Sequence, residues 1–289
     1  MTQRFRHFAA IDWSGAVGER HRGIAIGLCP AGDDAPQLVR PGHRWSRHEV
    51  FDWLLDGLPE DTLVGLDIST ALAFQDRGAY FPGCIDSPPD ARALWALVDS
   101  VCAAEPHLGA GEFIDDPRFA PYFRRHGGRE GALFGGGRGR LRVTENGQRA
   151  QGCNPYSNFN LVGAAQVGKA SLTGMRVLHR LSELLPLWPV DPLPDRGSVV
   201  VEIYTTIAAM AAGRMASRSK MRDFSALNAA LRAVGSKPVS GEGIIDDHAS
   251  DALLAAAWLR HVAHLPELWQ PRDMTAEIAR TEGWTFGVP

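Results

Sequence analysis

Three short runs along the chain share one pattern: each is apolar and β-prone, ends in an acid, and then breaks into small or polar residues. They are HFAAIDWSGA at Asp12, TLVGLDIST at Asp67 and SVVVEIYTT at Glu202. Continuous apolar runs of this length fit strands buried on both faces of a sheet. RGIAIGLCP from Arg22 and QLVRPGHRW from Gln37 predict two further strands after the first, joined as a meander through PAGDDAP. SRHEVFDWLLDGLP predicts a helix, with Ser46 as cap, Glu49 completing a capping box, and Val50, Trp53, Leu54 and Gly57 at helical spacing. The order to Ile68 is therefore strand, strand, strand, helix, strand.

Residues 70–196 follow a different pattern, in which two helical pieces (PDARALWALVDSVCAA and SNFNLVGAAQVGKASLTGMRVLHRLSELLP) flank a glycine- and arginine-rich stretch. This segment reads as an insertion into a single α/β domain whose core is residues 1–69 and 197–289. The core resumes with SVVVEIYTT, which makes five strands in all, followed by KMRDFSALNAALRAVG as a helix and IIDDHASDALLAAAWLRH as another. A short helix after PELWQPRD and a terminal GWTFGVP complete it. No internal repeat or low-complexity linker divides the chain.

A single acid at a strand end is readily explained by a turn or a cap. Parallel strands that all end in acids at one edge place those carboxylates on the rim where open α/β sheets carry their sites. Like charges brought together raise one another's pKa, and a divalent cation relieves them. All-oxygen ligands favour Mg²⁺ or Mn²⁺ over zinc. The last long helix adds to the set: Asp247 and Asp251 are four apart, and His248 and Asp251 three apart, so either pair can share a face. Asp246 reads as the cap. Asp251 lies a turn inside an otherwise apolar helix, where capping no longer explains a carboxylate.

Composition narrows the partners. The chain has 289 residues, 45% hydrophobic and 22% charged, which excludes wholesale disorder, and a net charge of −3 confines any nucleic-acid surface to a local patch. Cys29, Cys84, Cys102 and Cys153 show no CxxC pairing, and read as reduced thiols without a zinc site. With no long uncharged apolar run and no signal-peptide pattern, the sequence predicts a soluble, cytoplasmic protein without a membrane segment.

AIDWSGA, VGLDIS, VVVEIYTT and the helix start DDHASDALLAAAW together resemble the ribonuclease H-like fold, and the last is similar to the acidic helix of Holliday-junction resolvases. Across its length the chain resembles the domain-of-unknown-function family 429, predicted nucleases of that fold; QVGKASLTGMRVLHRL and EGWTFGV match further segments of the family. The resemblance implies a mixed sheet with helices on both faces. It implies a catalytic site of Asp12, Asp67 or Glu202, and the Asp247/Asp251 helix, with His248 as an alternative metal ligand. In such a site metals held by carboxylates activate water against a phosphodiester. Glu202 departs from the minimal pattern, which needs no acid on that strand.

The insertion carries Arg118, Arg124, Arg125, Arg129, Arg138, Arg140 and Arg142 against Glu130, with Tyr122, Phe123 and Phe134 among them. Arginine suits phosphate and aromatic rings suit bases, so Arg138 and Arg140 are candidates to bind a nucleic-acid substrate. A solvated basic loop is the alternative. GAAQVGKAS from Gly163 has the spacing of a phosphate loop, but Ala170 replaces the Ser or Thr and no strand precedes it, which leaves Lys169 as a possible phosphate contact. Two other readings stay open: an ATP-dependent phosphotransferase of the actin and sugar-kinase type, whose first phosphate loop IDWSGA resembles, and a non-catalytic anion- or nucleic-acid-binding protein.

Overall fold

The runs expected to be buried on both faces form the centre of the sheet. In the computed structural model, which describes residues 4–125, 127, 129–162 and 167–289, the first strands are β1 (His7–Asp12), β2 (Ala25–Pro30), β3 (Gln37–Leu38) and β4 (Thr62–Leu66). A small hairpin of β5 (Arg124–Arg125) and β6 (Arg129–Glu130) stands apart, and β7 (Leu187–Trp188) and β8 (Val199–Glu202) complete the set. The main sheet has the order β3-β2-β1-β4-β8-β7, with β1 to β3 an antiparallel meander and β1, β4, β8 and β7 parallel. It has six strands where five were expected, because Leu187 and Trp188, inside the segment read as an insertion, pair with Val200 and Val201. Two residues are too short a run for an alternation to be visible in sequence.

Alternate side chains feed two cores. Ala9, Ile11, Val64, Leu66 and Val200 face one, and Phe8, Ala10, Leu63, Val199 and Val201 face the other. The first is covered by α1 (Arg47–Asp52), α2 (Ala91–Val101) and, after the short α3 (Gly111–Asp115) and α4 (Val143–Ala150), by α5 (Val167–Leu181). The second is covered by α6 (Thr205–Ala211), α7 (Phe224–Ala233) and α8 (Asp247–Val262), with α9 (Pro266–Trp269), α10 (Ala276–Thr281) and the buried tail residues Trp284, Phe286 and Val288. Ser46 and Glu49 form the expected capping box on α1, and Asp246 caps α8. Helix α6 was not evident in sequence: no side chain caps it, and TTIAAMA lacks an obvious polar face. No helix among the described residues is long and apolar enough to cross a membrane.

The insertion is bound to the core by a buried charge network. Arg142 is completely buried; its Nε donates to Glu145 at 2.9 Å, and its Nη atoms donate to both oxygens of Glu202 at 2.8 and 2.6 Å. Glu202 also accepts from the backbone and hydroxyl of Thr70 and from the hydroxyl of Thr285, which ties β8, the insertion and the C-terminal tail to one carboxylate. Removing one partner of such a cluster strands the others without water. Arg142→Met is therefore expected to cost about 3–5 kcal/mol of unfolding free energy, read from the urea midpoint. Arg118→Ala, which breaks exposed pairs with Asp86 and Asp116, should cost under about 1 kcal/mol; equal costs would contradict the assignment.

Candidate metal centre

Three elements deliver carboxylates to one rim of the sheet. Asp12 is the last residue of β1, and Asp67 follows β4, where its N–H donates to the Ile11 carbonyl at 3.0 Å and keeps the two strand ends in step. Asp251 lies one turn into α8 and is 5% exposed. The helix can reach the rim because residue 27 is glycine: a Cβ there would stand 2.4 Å from the Ala252 carbonyl oxygen. Asp246 accepts from the N–H groups of His248 and Ala249 at 3.0 and 3.4 Å, so its charge is engaged by the helix start.

Each acid of the rim has a polar partner. The Nδ1 of His248 sits 2.8 Å from Asp12 Oδ2, the Thr205 hydroxyl donates to Asp67 Oδ2 at 3.1 Å, and Lys220 forms a close ion pair with Asp251. These contacts do not balance the charge. Burial raises Asp67 to about 8, helped by the charges of Asp12 and Asp251 and opposed by Lys220 and Thr205. Burial likewise raises Asp251 to about 6, against the pull of Lys220 and with Asp12 and Asp247 adding repulsion. The hydrogen bond to Asp12 raises His248, burial opposes it, and the charges of Asp12, Asp247 and Asp246 add to the rise. Burial first and neighbouring acids second favour the protonated forms of Asp67 and Asp251, a cost that protons or a cation can relieve.

Asp67, Thr205 and Lys220 open onto a cleft of about 520 Å³, whose other walls include Trp13, Ser69, Tyr156 and Tyr204. Asp247 is half-buried at the head of α8. Its carboxylate, that of Asp246 and a ring nitrogen of His248 present ligand atoms within 4.8 Å of one another, a second arrangement able to hold a cation. His248 belongs to both groups.

Several residues singled out in sequence lie elsewhere. Glu202 borders the cleft, but both its oxygens are engaged by Arg142, Thr70 and Thr285, so its place is structural and it leaves the set of candidate ligands. Arg140 is withdrawn as a substrate contact: its guanidinium donates to Asp76 and to the carbonyls of Ala73, Ala79 and Tyr80. Arg138 is exposed and bonds the Asn154 amide oxygen. Tyr122, Phe123 and Phe134 are buried; Tyr122 and Phe123 pack around Phe81, so none presents a face to a base. Lys169 lines a neighbouring cleft of about 380 Å³ with Arg47 and His107, separated from the acids by Gly15, on which α5 rests; a Cβ at Gly15 would stand 2.4 Å from the Ala170 nitrogen. Residues 163–166, the start of the GAAQVGKAS segment, lie outside the described residues.

Lys220 is the residue that sequence reasoning missed. KMRDFSALNAALRAVG predicts a helix that starts at Lys220, whereas Asp223 caps α7 and Lys220 precedes the cap. The available signal was a lone lysine beside the buried Met221, too common a pairing to stand out. Comparison with protein-family models, curated proteins and solved structures gives no match to this chain.

The raised acids dictate a pH response in protein kept metal-free with a chelator. Between the ordinary carboxylate pKa and the folded values of about 6 for Asp251 and about 8 for Asp67, the folded state binds more protons than the unfolded chain. Their contribution is complete below about pH 4 and is lost as pH rises through those values. Raised His248 acts in the same direction. Burial holds His21 down to about 4, which opposes the trend only up to its unfolded value of about 6.5. The melting temperature should therefore fall between about pH 6.5 and 8, and Asp67→Asn should flatten the fall; a rise across that window in the wild type would contradict the charge deficit.

Proposed function

We propose that this protein is a divalent-metal-dependent nuclease with a ribonuclease H-like core. The observation that carries the reading is the convergence of Asp12, Asp67 and Asp251, from two parallel strand ends and the head of a packed helix, on one rim where burial and the charge of Asp12 raise the proton affinity of Asp67 and Asp251. The meander of β1 to β3, followed by parallel β4 and β8 with helices on both faces, supports the same reading, as it is the arrangement the family resemblance implies.

The donor set fits Mg²⁺ or Mn²⁺, being carboxylate oxygens with a single imidazole and no thiolate. Asp12, Asp67 and Asp251 would hold the ion, with His248 or Asp247 as a further ligand. A bound divalent ion supplies a Lewis acid for the phosphoryl group and lowers the proton affinity of water. The chain's own groups have separate parts. Asp67 gives up the proton it retains near neutrality when positive charge arrives. Lys220, half-exposed on the cleft wall, offers N–H groups to a phosphoryl oxygen while offsetting Asp251. Thr205 fixes the Asp67 carboxylate, and His248 fixes that of Asp12.

Calorimetric titration with Mn²⁺ should show saturable binding with proton release. Cleavage of single-stranded, branched and hybrid substrates should need Mg²⁺ or Mn²⁺. Asp12→Asn and Asp251→Asn should each lower cleavage by more than about 100-fold and weaken Mn²⁺ binding, whereas unchanged values for both variants would remove the assignment. Saturable ATP binding without cleavage would favour the phosphotransferase reading. Nucleic-acid binding without cleavage, unaffected by the same variants, would favour a non-catalytic protein.

A further inference from the structure

Beside the acidic rim, on the meander, lies a group of cations with no acid partner among the described residues. A cavity of about 300 Å³ is lined by Arg22 from the β1–β2 connection, by Arg40, His43 and Arg44 from the turn after β3, and by Asp246 and Ala249 at the head of α8. It adjoins the candidate metal centre: Ala25, also in its wall, pairs with Asp12 across β1 and β2. Gly23, next to Arg22, faces His248, and a Cβ there would stand 3.4 Å from the ring.

The charges in this cavity are not spent within the fold. Arg22, Arg40 and Arg44 are exposed and have no carboxylate partner among the described residues. His43 and the adjacent Arg20 are both tied to Glu49, and Asp246, the acid in the wall, is engaged by the start of α8. In the insertion, by contrast, Arg118, Arg124, Arg125, Arg140 and Arg142 all face acids. Arg40 is also held at φ 52, a left-handed conformation that disfavours an L side chain, in a turn closed by the His43 N–H on its carbonyl at 3.0 Å. Its guanidinium lies 5.0 Å from the Trp45 ring centroid, which holds it on the cavity rim.

We infer that Arg22, Arg40 and Arg44 form the seat for the phosphodiester backbone flanking the bond to be cleaved, an inference that rests on the nuclease reading for the identity of its ligand. Guanidinium groups match phosphate oxygens in pairs and tolerate any base sequence. The occupant we assign to it is a single-stranded segment of DNA or RNA, whose backbone can follow the concave wall from Arg22 to Arg44, and equal or tighter duplex binding would count against it.

The test is fluorescence anisotropy with labelled single-stranded DNA, single-stranded RNA and duplex, in chelator and again with Mg²⁺ on an Asp12→Asn background. Arg22→Ala/Arg40→Ala/Arg44→Ala should weaken single-strand binding at least about tenfold and lower the slope of log affinity against log salt by about 2, for three phosphate contacts at about 0.7 each. Because Arg40 also lies over the Trp45 ring, Arg22→Ala/Arg44→Ala should lower the slope by about 1.4 while leaving that contact in place. Arg118→Ala/Arg124→Ala should leave both values unchanged. Unaltered affinity and slope in the triple and double variants overturn the inference, as does a wild-type protein that binds no strand in either condition. Binding that depends on the three arginines, in a protein that cleaves nothing with Mg²⁺ or Mn²⁺, keeps this seat and removes the nuclease reading.

Discussion

The distance between α8 and the sheet is the constraint on which the site depends. Helices normally stand off a sheet by the thickness of their side chains, yet here Gly27 lies directly beneath the backbone of Ala252, with Ala255, Ala256 and Ala257 fully buried around it. Nothing larger than glycine fits at position 27 unless the helix moves. A helix packed so closely has almost no polar face, and its two buried charged residues are accommodated in opposite ways. Arg260, near the C-terminal end, donates to the carbonyls of Pro30 and Asp34 at 3.1 and 2.8 Å. Asp251, near the N-terminal end, faces other acids.

The rim therefore holds two kinds of carboxylate only a strand apart. Glu202 at the end of β8 meets a bidentate, fully desolvated arginine together with three hydroxyl and amide donors, and so serves as a hub joining insertion, core and tail. Asp67, beside the end of the neighbouring β4, meets one hydroxyl and the field of two further acids. Glu202 lies opposite Leu66 and Asp67 comes one place later, yet both stand at the same edge, and the partner decides which carboxylate is used up by folding. Arg142 supplies that partner from the insertion, which makes the segment part of the core's charge balance as well as an addition to it.

The strands that build the site were legible in sequence because they are buried on both faces, which gives unbroken apolar runs, and because acids end them. The head of α8 was legible for a related reason: Asp251 interrupts an apolar pattern where no cap can explain it. What the sequence could not show is pairing. Arg140 and Arg142 stand in the same glycine-rich stretch as Arg138 and look equivalent to it, yet Asp76, Glu145 and Glu202, remote in sequence or a turn away, lock the first two into the fold. Tyr122 and Phe123 were equally ambiguous until Phe81 and its neighbours surrounded them. Charge density along a chain measures what is available before folding. What is left unpaired afterwards is a different set: Arg22, Arg40 and Arg44, scattered over a meander, have no carboxylate partner among the described residues, whereas most of the visible basic run is engaged by acids.

Lys220 shows the same principle from the side of the acids. Its segment is fastened to the start of α8: the Ser250 hydroxyl donates to the Met221 carbonyl at 2.7 Å, and the Ile245 N–H donates to the Arg222 carbonyl at 3.1 Å. The ammonium is thus delivered to Asp251 by the backbone, while its own side chain remains half-exposed on a flexible stem. One such charge offsets Asp251 in part but leaves both Asp251 and Asp67 above the ordinary carboxylate range. A monovalent group at the edge of the cluster cannot lie between three carboxylates at once. The repulsion that remains is therefore a property of the folded rim itself, which Lys220 reduces without removing.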